Sequence, residues 1–122
     1  RGVLRCFPGT AEDAERAADL GFLLGVGGVV TFKKSAMAEV VRHVGVEPLL
    51  LETDCPYLAP APHRGKRNES GYIPLIAAKI AEITGLDVKK VAETTTKNAM
   101  KLFNLQGGNF PSGFPADDFN NI

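Results

Sequence analysis

Three short apolar runs alternate with two segments of helical periodicity in the first half of the chain, and this alternation constrains the fold more than any other feature. The runs are GVLRCF at residues 2–7, FLLGVGGVVTF at residues 22–32 and LLLETD at residues 49–54. Thr10 and Asp13 form a capping-box pattern that opens the first intervening helix, and Ser35 can cap the second. The third run is almost continuously apolar, as strands covered on both faces are. Since strands that alternate with helices form parallel sheets, the sequence predicts an α/β fold with three parallel strands.

Two more helices follow a long loop in the second half of the chain. The loop extends from Cys55 to Gly71 and exceeds the ~12–15 residues of most structureless connections. A helix is predicted from Tyr72 to Thr84, and Asp87 can cap a last helix. The apolar residues of that helix are predicted to face inward, namely Val88, Val91, Ala92, Ala99, Leu102 and Phe103. Residues 106–122 are rich in Gly, Pro, Asn and Asp, which predicts an extended or mobile tail after a domain formed by residues 1–105.

The composition is that of one soluble domain without a charge bias. The 122 residues include 14 Lys and Arg against 14 Asp and Glu, so any affinity for a polyanion must come from a local patch. No run approaches the ~18 apolar residues of a membrane-spanning helix, and no secretory signal pattern is visible. Two cysteines are too few for a disulfide framework. We therefore expect a cytoplasmic protein with reduced thiols and no membrane partner.

Two carboxylates end the third apolar run. Side chains alternate along a strand, so Glu52 and Asp54 are predicted to share one face. Asp54 is predicted to lie at the carboxyl end of its strand, where parallel α/β folds carry ligand sites and where a carboxylate can ligate a metal or act as a base. A turn-capping role is the alternative for Asp54. Glu52 lies one layer deeper, which favours a buried salt bridge or hydrogen bond over a role in chemistry.

A basic segment, PHRGKRNES, follows the carboxylates within the long loop. It contains His63, Arg64, Lys66 and Arg67. Arg offers a planar fork to phosphate oxygens, and Lys offers a mobile point charge. An ordinary solvated loop is the alternative interpretation. The position of the segment directly after Asp54 favours phosphodiester hydrolysis, which requires an acid for a metal and cations for phosphate.

Three segments of the chain match the pattern of a known family. They are LLLETDCPYLAPAPHRGKRNES, the upstream segment GVLRCFPGTAEDAERAADLGFLLGVGGVVTF, and the closing-helix segment TTTKNAMKLF. Together they resemble the TatD family of metal-dependent deoxyribonucleases, over residues 1–105. The resemblance implies a TIM-like (β/α)8 barrel of the amidohydrolase type, a divalent metal (Mg²⁺, Mn²⁺ or Zn²⁺) and DNA as the substrate, often degraded in the 3′–5′ direction. Because a whole barrel takes ~250 residues, a chain of this length is expected to form a partial barrel, namely about the last three βα units plus the terminal helices.

The resemblance assigns roles to individual residues. Asp54 matches a metal ligand and is the expected catalytic carboxylate. The loop residues expected to face DNA phosphates are His63, Arg64, Lys66, Arg67 and Asn68. Arg5 stands where the family has a His ligand, and because a guanidinium has no lone pair for a metal, we expect it to pair with Asp54 instead. Asn98 matches an asparagine to which we assign a structural role, while His43 is expected at the surface and Cys55 is not expected to be a nucleophile.

Two functions remain open at this point. The first is a TatD-like metal-dependent DNA hydrolase, present here as its carboxyl-terminal portion. The second is an inactive remnant that binds nucleic-acid phosphates or associates with a partner chain. The His-x-His of the family's first strand and the metal ligands of its middle strands are absent from the sequence, so we expect the isolated chain to be inactive. A three-stranded piece of a barrel exposes two strand edges, which predicts self-association or an amino-terminal half-barrel partner.

Overall fold

The computed structural model describes residues 2–105, which form three strands and four α-helices in the predicted alternation. The elements are β1 (Gly2–Leu4), α1 (Ala11–Asp19), β2 (Phe22–Val26), α2 (Ala36–Val44), β3 (Leu49–Leu51), α3 (Ile73–Thr84) and α4 (Val88–Leu102), with short 3₁₀ helices at Gly28–Thr31 and Ser70–Tyr72. The predicted α/β class is confirmed. The tail predicted for residues 106–122 lies outside the described residues.

The sheet joins its strands in chain order, β1–β2–β3, and both pairs are parallel. Val3 lies opposite Leu23 in the first pair, and Gly25 lies opposite Leu50 in the second. Since all three strands run in one direction, their carboxyl ends meet at the same edge of the sheet. The segments that follow the strands are therefore brought together, as the sequence predicts for the site.

The strands are shorter than the apolar runs predict. β1 stops at Leu4, and Cys6 then has a φ of +46°, which turns the chain away from the sheet. β2 stops at Val26, and the chain tightens into the 3₁₀ helix Gly28–Thr31 where the pattern predicts a strand. β3 stops at Leu51, and Asp54 instead forms an isolated bridge with Tyr57. The predicted strand ends are wrong, and the misassigned residues form loops at the edge that carries the site.

The predicted helix starts are confirmed. The N–H of Thr10 donates to Asp13 Oδ2 at 3.1 Å, and the N–H of Asp13 donates to Thr10 Oγ1 at 3.2 Å, which completes the capping box of α1. These hydrogen bonds to Thr10 lower the pKa of Asp13. Ser35 accepts a hydrogen bond at the start of α2, and Asp87 accepts one at the start of α4. Each cap satisfies a backbone donor that the first helical turn leaves unpaired.

Apolar side chains between the sheet and the helices form the core. Its larger fully buried members are Leu24, Val26, Val30, Val41, Leu49, Ile76, Ile80 and Val91. Alternation along β2 directs Leu24 and Val26 into this core and leaves Leu23 and Gly25 on the opposite face. In the range 2–105, no helix is both long enough and apolar enough to cross a bilayer.

The inward face of α4 differs from the prediction at two places. Phe103 lies at the end of the helix and is 63% exposed, so its predicted inward position is wrong. Thr94 and Thr95 are buried instead. Thr95 can be buried because its hydroxyl donates to Val91 O at 2.9 Å, which satisfies the polar atom within the helix. Helical spacing of apolar residues alone does not reveal such threonines.

Candidate active site

The carboxyl ends of the three strands bring together residues that lie up to 49 positions apart in sequence. Arg5 and Cys6 follow β1, while Glu52 and Asp54 follow β3. Gly25, near the end of β2, lies beneath the carboxylate of Glu52, and a Cβ atom at Gly25 would lie 2.6 Å from Glu52 Oε2. The glycine therefore leaves the space that the carboxylate occupies.

Arg5 pairs with both carboxylates of this edge. Its Nε lies 3.1 Å from Glu52 Oε2, and its Nη2 lies 3.4 Å from Asp54 Oδ1. The Glu52 side chain is 8% exposed and that of Asp54 is 27% exposed. Hydrogen bonding to Glu52, and then the charges of Glu52 and Asp54, raise the pKa of Arg5. The predicted ion pair between Arg5 and Asp54 is present, and Glu52 takes the buried salt-bridge role expected of it.

Cys6 is a member of this cluster that the sequence alone did not single out. Its N–H donates to Glu52 Oε1 at 2.6 Å, and its thiol donates to Asp54 Oδ2 at 2.6 Å. The hydrogen bond to Asp54, burial and the bond to Glu52 raise the pKa of Cys6 to about 12. The only signal in the sequence was the position of Cys6 beside Arg5, at the predicted strand end.

The residues of this cluster do not suit a divalent cation as they stand. Potential ligand atoms of Cys6, Glu52 and Asp54 lie within 4.8 Å of one another. The thiol would have to lose its proton to bind a metal, and its raised pKa opposes that. Arg5 already pairs with both carboxylates and offsets part of their charge, and a cation such as Mg²⁺ takes about six oxygen ligands. Within residues 2–105, the family metal would need further ligands and the displacement of Arg5.

A cavity of about 450 Å³ opens beside Asp54. Its lining combines apolar and cationic side chains, including Cys6, Phe7, Phe32, Lys34, Met37 and Arg64. The guanidinium of Arg64 lies over the ring of Phe32, 3.9 Å from the ring centroid. This stacking holds one predicted phosphate-binding side chain at the wall of a cavity that Asp54 also lines.

The other predicted phosphate ligands lie farther along the loop. The ring of His63 stacks on Tyr72 with a centroid distance of 4.3 Å and an interplanar angle of 7°. Lys66 and Arg67 are exposed. The structure therefore fixes the directions of His63 and Arg64 through aromatic contacts, and it leaves the charges of Lys66 and Arg67 in solvent.

Asn68 is not placed for contact with a ligand. Its side chain is 2% exposed, and its Nδ2 donates to Tyr57 O at 2.8 Å. Its Oδ1 accepts from the N–H of Glu69 at 2.9 Å. Because both ends of the amide are used inside the loop, we correct the sequence prediction for Asn68: it stabilises the loop and is left out of the phosphate-binding set. Buried asparagines of this kind cannot be told from exposed ones by sequence spacing.

The loop is seated on the 3₁₀ helix that follows β2. The N–H of Ala61 donates to Thr31 Oγ1 at 2.7 Å. A Cβ atom at Gly28 would lie 2.3 Å from Leu58 O and 2.9 Å from Pro60 N, so the loop backbone approaches Gly28 more closely than any side chain permits. Gly28 thus permits a close approach between two backbone segments, as the glycines of this apolar run predict.

Three other residues singled out in the sequence lie away from the cavity or at its margin. Asn98 Nδ2 donates to Glu47 O and Leu49 O, both at 2.8 Å, so it joins α4 to the start of β3 and its structural role is confirmed. His43 is exposed as predicted, with Nε2 3.0 Å from Glu15 Oε2. Cys55 is exposed and lies 2.9 Å from Thr53 Oγ1.

Comparison with known proteins gives consistent matches. A family model described as TatD related DNase matches residues 1–104. The chain is 44% identical over 105 residues to the uncharacterized metal-dependent hydrolase YabD of Bacillus subtilis, covering 85% of this chain and 41% of YabD. It is 37% identical over 109 residues to the protein named 3'-5' ssDNA/RNA exonuclease TatD of Citrobacter rodentium, covering 84% of this chain and 41% of that protein.

Solved structures match over the same part of the chain. The crystal structure of YJJV, a TatD homolog from Escherichia coli, superposes with a TM-score of 0.78 at 30% identity, covering 86% of this chain and 41% of that one. A TatD family hydrolase from Entamoeba histolytica has a TM-score of 0.72 at 24% identity and shares the fold. The chain thus spans about two fifths of the length of the relatives it matches.

Proposed function

Since the chain belongs to the family of TatD related DNases, we propose that its site at Asp54 serves the metal-dependent hydrolysis of DNA phosphodiester bonds. The observation that carries this proposal is the shared cavity: Asp54 and Arg64 line one space of about 450 Å³. Asp54 would offer a carboxylate to the metal and Arg64 a guanidinium to the phosphate, and metal-dependent phosphodiester hydrolysis needs both groups. The name of the Citrobacter relative, an exonuclease of single-stranded DNA and RNA, supports a nucleic-acid substrate.

We further propose that residues 1–105 correspond to the carboxyl-terminal half of a TIM-like barrel. Three parallel strands in chain order, each preceded or followed by a helix, are the repeating unit of such a barrel. The match to about two fifths of YabD supports this correspondence. In the complete site, Asp54 would ligate the metal, and the remaining ligands would come from outside this chain's described residues.

A second candidate function is phosphate binding without catalysis. The specific observation in its favour is that Arg5 forms ion pairs with both carboxylates, Glu52 and Asp54, at the position where the family has a metal ligand. A permanent cation there offsets part of the negative charge that a divalent metal would otherwise balance. On this hypothesis the chain retains the loop that binds nucleic acid and has lost the chemistry.

A nuclease assay separates the two candidates. We expect the purified chain to leave single-stranded DNA uncut in Mg²⁺, Mn²⁺ or Zn²⁺, because the ligand set of residues 2–105 is incomplete. Arg5→His combined with the unmatched part of YabD, fused or added in trans, is expected to cleave DNA, and Asp54→Asn is expected to abolish that cleavage. If native YabD cleaves DNA in the same assay, failure of the fused protein to cleave would favour the phosphate-binding candidate. Metal-dependent cleavage by the unaltered chain that Asp54→Asn abolishes would contradict the incomplete ligand set.

Phosphate binding by the loop has its own test. Affinity for single-stranded DNA should be independent of base sequence and should fall steeply as salt rises. Arg64→Ala with Arg67→Ala is expected to remove most of it, whereas Lys89→Ala with Lys90→Ala, on an exposed part of α4, should have little effect. Fluorescence anisotropy measures both variants. Equal affinities for the two double variants would identify the loop as an ordinary solvated surface.

We also propose that the chain associates through its sheet edges. β1 and β3 each pair with β2 on one side, and in the described range their other sides have no strand partner. Unpaired strand edges favour pairing with another chain, here a second copy or an amino-terminal half-barrel. Analytical ultracentrifugation is expected to show association at micromolar concentration, and a stable monomer throughout would contradict the proposal.

A further inference from the structure

A second polar cavity lies between α2 and α3, outside the site at Asp54. It has a volume of about 320 Å³. Four cationic side chains and two carboxylates line it, namely Lys33, Lys34, Arg42 and Lys79 with Glu39 and Glu82. This concentration of positive charge contrasts with the whole chain, in which 14 cationic and 14 anionic side chains balance.

The carboxylates of this cavity neutralise only part of its charge. Arg42 pairs with Glu39 on α2, and Lys79 Nζ lies 3.6 Å from Glu82 Oε1 on α3. Both pairs are between exposed or half-exposed groups three positions apart, and such pairs are weak in water. Lys33 makes no ion pair with any residue in the range 2–105, and the same holds for Lys34, so the cavity keeps an excess of positive charge.

The two cavities adjoin each other. Phe32, Lys34 and Ser35 line both of them. Arg64 lies over Phe32 on the side of Asp54, and Lys34 lies at the shared wall. Cationic side chains therefore continue from the loop, past Lys34, to the space between α2 and α3. A chain of regularly spaced negative charges fits such an arrangement, because each cation can meet a successive phosphate.

From this continuity we propose that the cavity between α2 and α3 binds a backbone phosphate of the nucleic-acid strand whose cleavage site lies at Asp54. The proposal rests on the proposed function, since it assigns a second contact to the same substrate. Ammonium and guanidinium groups on an open surface bind phosphate through charge, so the contact carries no base specificity. A strand long enough to reach both cavities binds more tightly than a short one.

Strand length provides the test. Binding of a thymidylate trimer and a dodecamer is measured by anisotropy over a range of salt concentrations without divalent cations. Lys33→Ala with Lys79→Ala removes cations that line only the second cavity. Each lost phosphate contact lowers the slope of log affinity against log salt by about 0.7 for a single strand, so loss of the one phosphate bound in the second cavity should lower the dodecamer slope by about 0.7. That change is a roughly 5-fold loss of affinity at about 0.1 M salt relative to about 1 M salt.

The controls separate this proposal from the proposed function. Trimer binding should be unchanged in Lys33→Ala with Lys79→Ala and weakened in Arg64→Ala, while Lys89→Ala with Lys90→Ala should leave the dodecamer slope unchanged. If the dodecamer slope changes equally in the two double lysine variants, the proposal for the second cavity is overturned and the proposed function is not. Calorimetry could instead show that Lys33→Ala with Lys79→Ala loses binding of inorganic phosphate while its dodecamer slope is unchanged. That result would identify a site for free anions and would also overturn the proposal for the second cavity. A wild-type chain that binds neither oligonucleotide overturns both proposals.

Discussion

Substitution of Gly28 tests whether the conformation of the basic loop depends on its contact with the 3₁₀ helix after β2. The residue is buried in the 3₁₀ helix after β2, and its backbone does not have a positive φ, so alanine is acceptable to the local conformation. The obstacle is space, because a Cβ atom would lie 2.3 Å from Leu58 O. An ordinary contact between carbon and oxygen is about 3.3 Å, so Gly28→Ala must push the loop backbone away by about 1 Å.

The energetic cost follows from that displacement. Overpacking of a close contact costs about 1–3 kcal/mol, and the loss of glycine entropy in the unfolded chain returns about 0.4–1 kcal/mol. We expect Gly28→Ala to lower the free energy of unfolding by about 1–2 kcal/mol in urea titrations followed by circular dichroism. Because the loop moves off the 3₁₀ helix, trypsin should also cleave faster after Arg64 in the native chain.

Gly71 supplies the matched control. It lies at the carboxyl end of the loop that Gly28 contacts, and its Cβ position is 3.5 Å from the nearest atom, which belongs to a flexible glutamate side chain. Gly71→Ala is expected to be neutral or to stabilise the chain by up to about 1 kcal/mol. Equal unfolding midpoints and equal trypsin rates for the two variants would refute the inference that close backbone approach at Gly28 positions the loop.

Two further predictions concern the helix cap and the thiol. Thr10→Ala should cost about 1 kcal/mol in urea titrations at neutral pH. Because the pKa of Asp13 is lowered in the folded chain, the part of this stability that needs its carboxylate is present above the ordinary pKa of aspartate and is lost as the pH falls through the lowered one. An unchanged unfolding midpoint for Thr10→Ala would show that the capping box does not stabilise the folded chain. Since the pKa of Cys6 is raised to about 12, iodoacetamide at pH near 8.5 should modify it at least about tenfold more slowly in the native chain than in urea, as measured by mass spectrometry. Asp54→Ala should speed the native reaction, and equal rates in the folded and unfolded chain would contradict the hydrogen bond between Cys6 and Asp54.

Local patterns in the sequence determined the elements and their order. The alternation of apolar runs and helical periodicity predicted the parallel α/β sheet, and the caps at Thr10, Ser35 and Asp87 were each confirmed. These features were predictable because they depend on neighbours within about four residues, where backbone geometry is fixed. The family motifs likewise predicted roles for Asp54 and the basic loop, which stay predictions, and the expected pairing of Arg5 with Asp54 is present.

Tertiary structure alone decided how the site is assembled. Cys6 and Glu52 meet because β1 and β3 end at the same edge of the sheet, with Gly25 beneath the carboxylate. Asn68 is buried because the loop folds over its side chain, which turned a predicted phosphate ligand into a structural residue. The adjoining cavities around Lys34 likewise arise only when α2, α3 and the loop pack together. In each case the deciding contact joins residues that are distant in sequence or depends on burial, and no periodicity along the chain encodes which side chain a fold will cover.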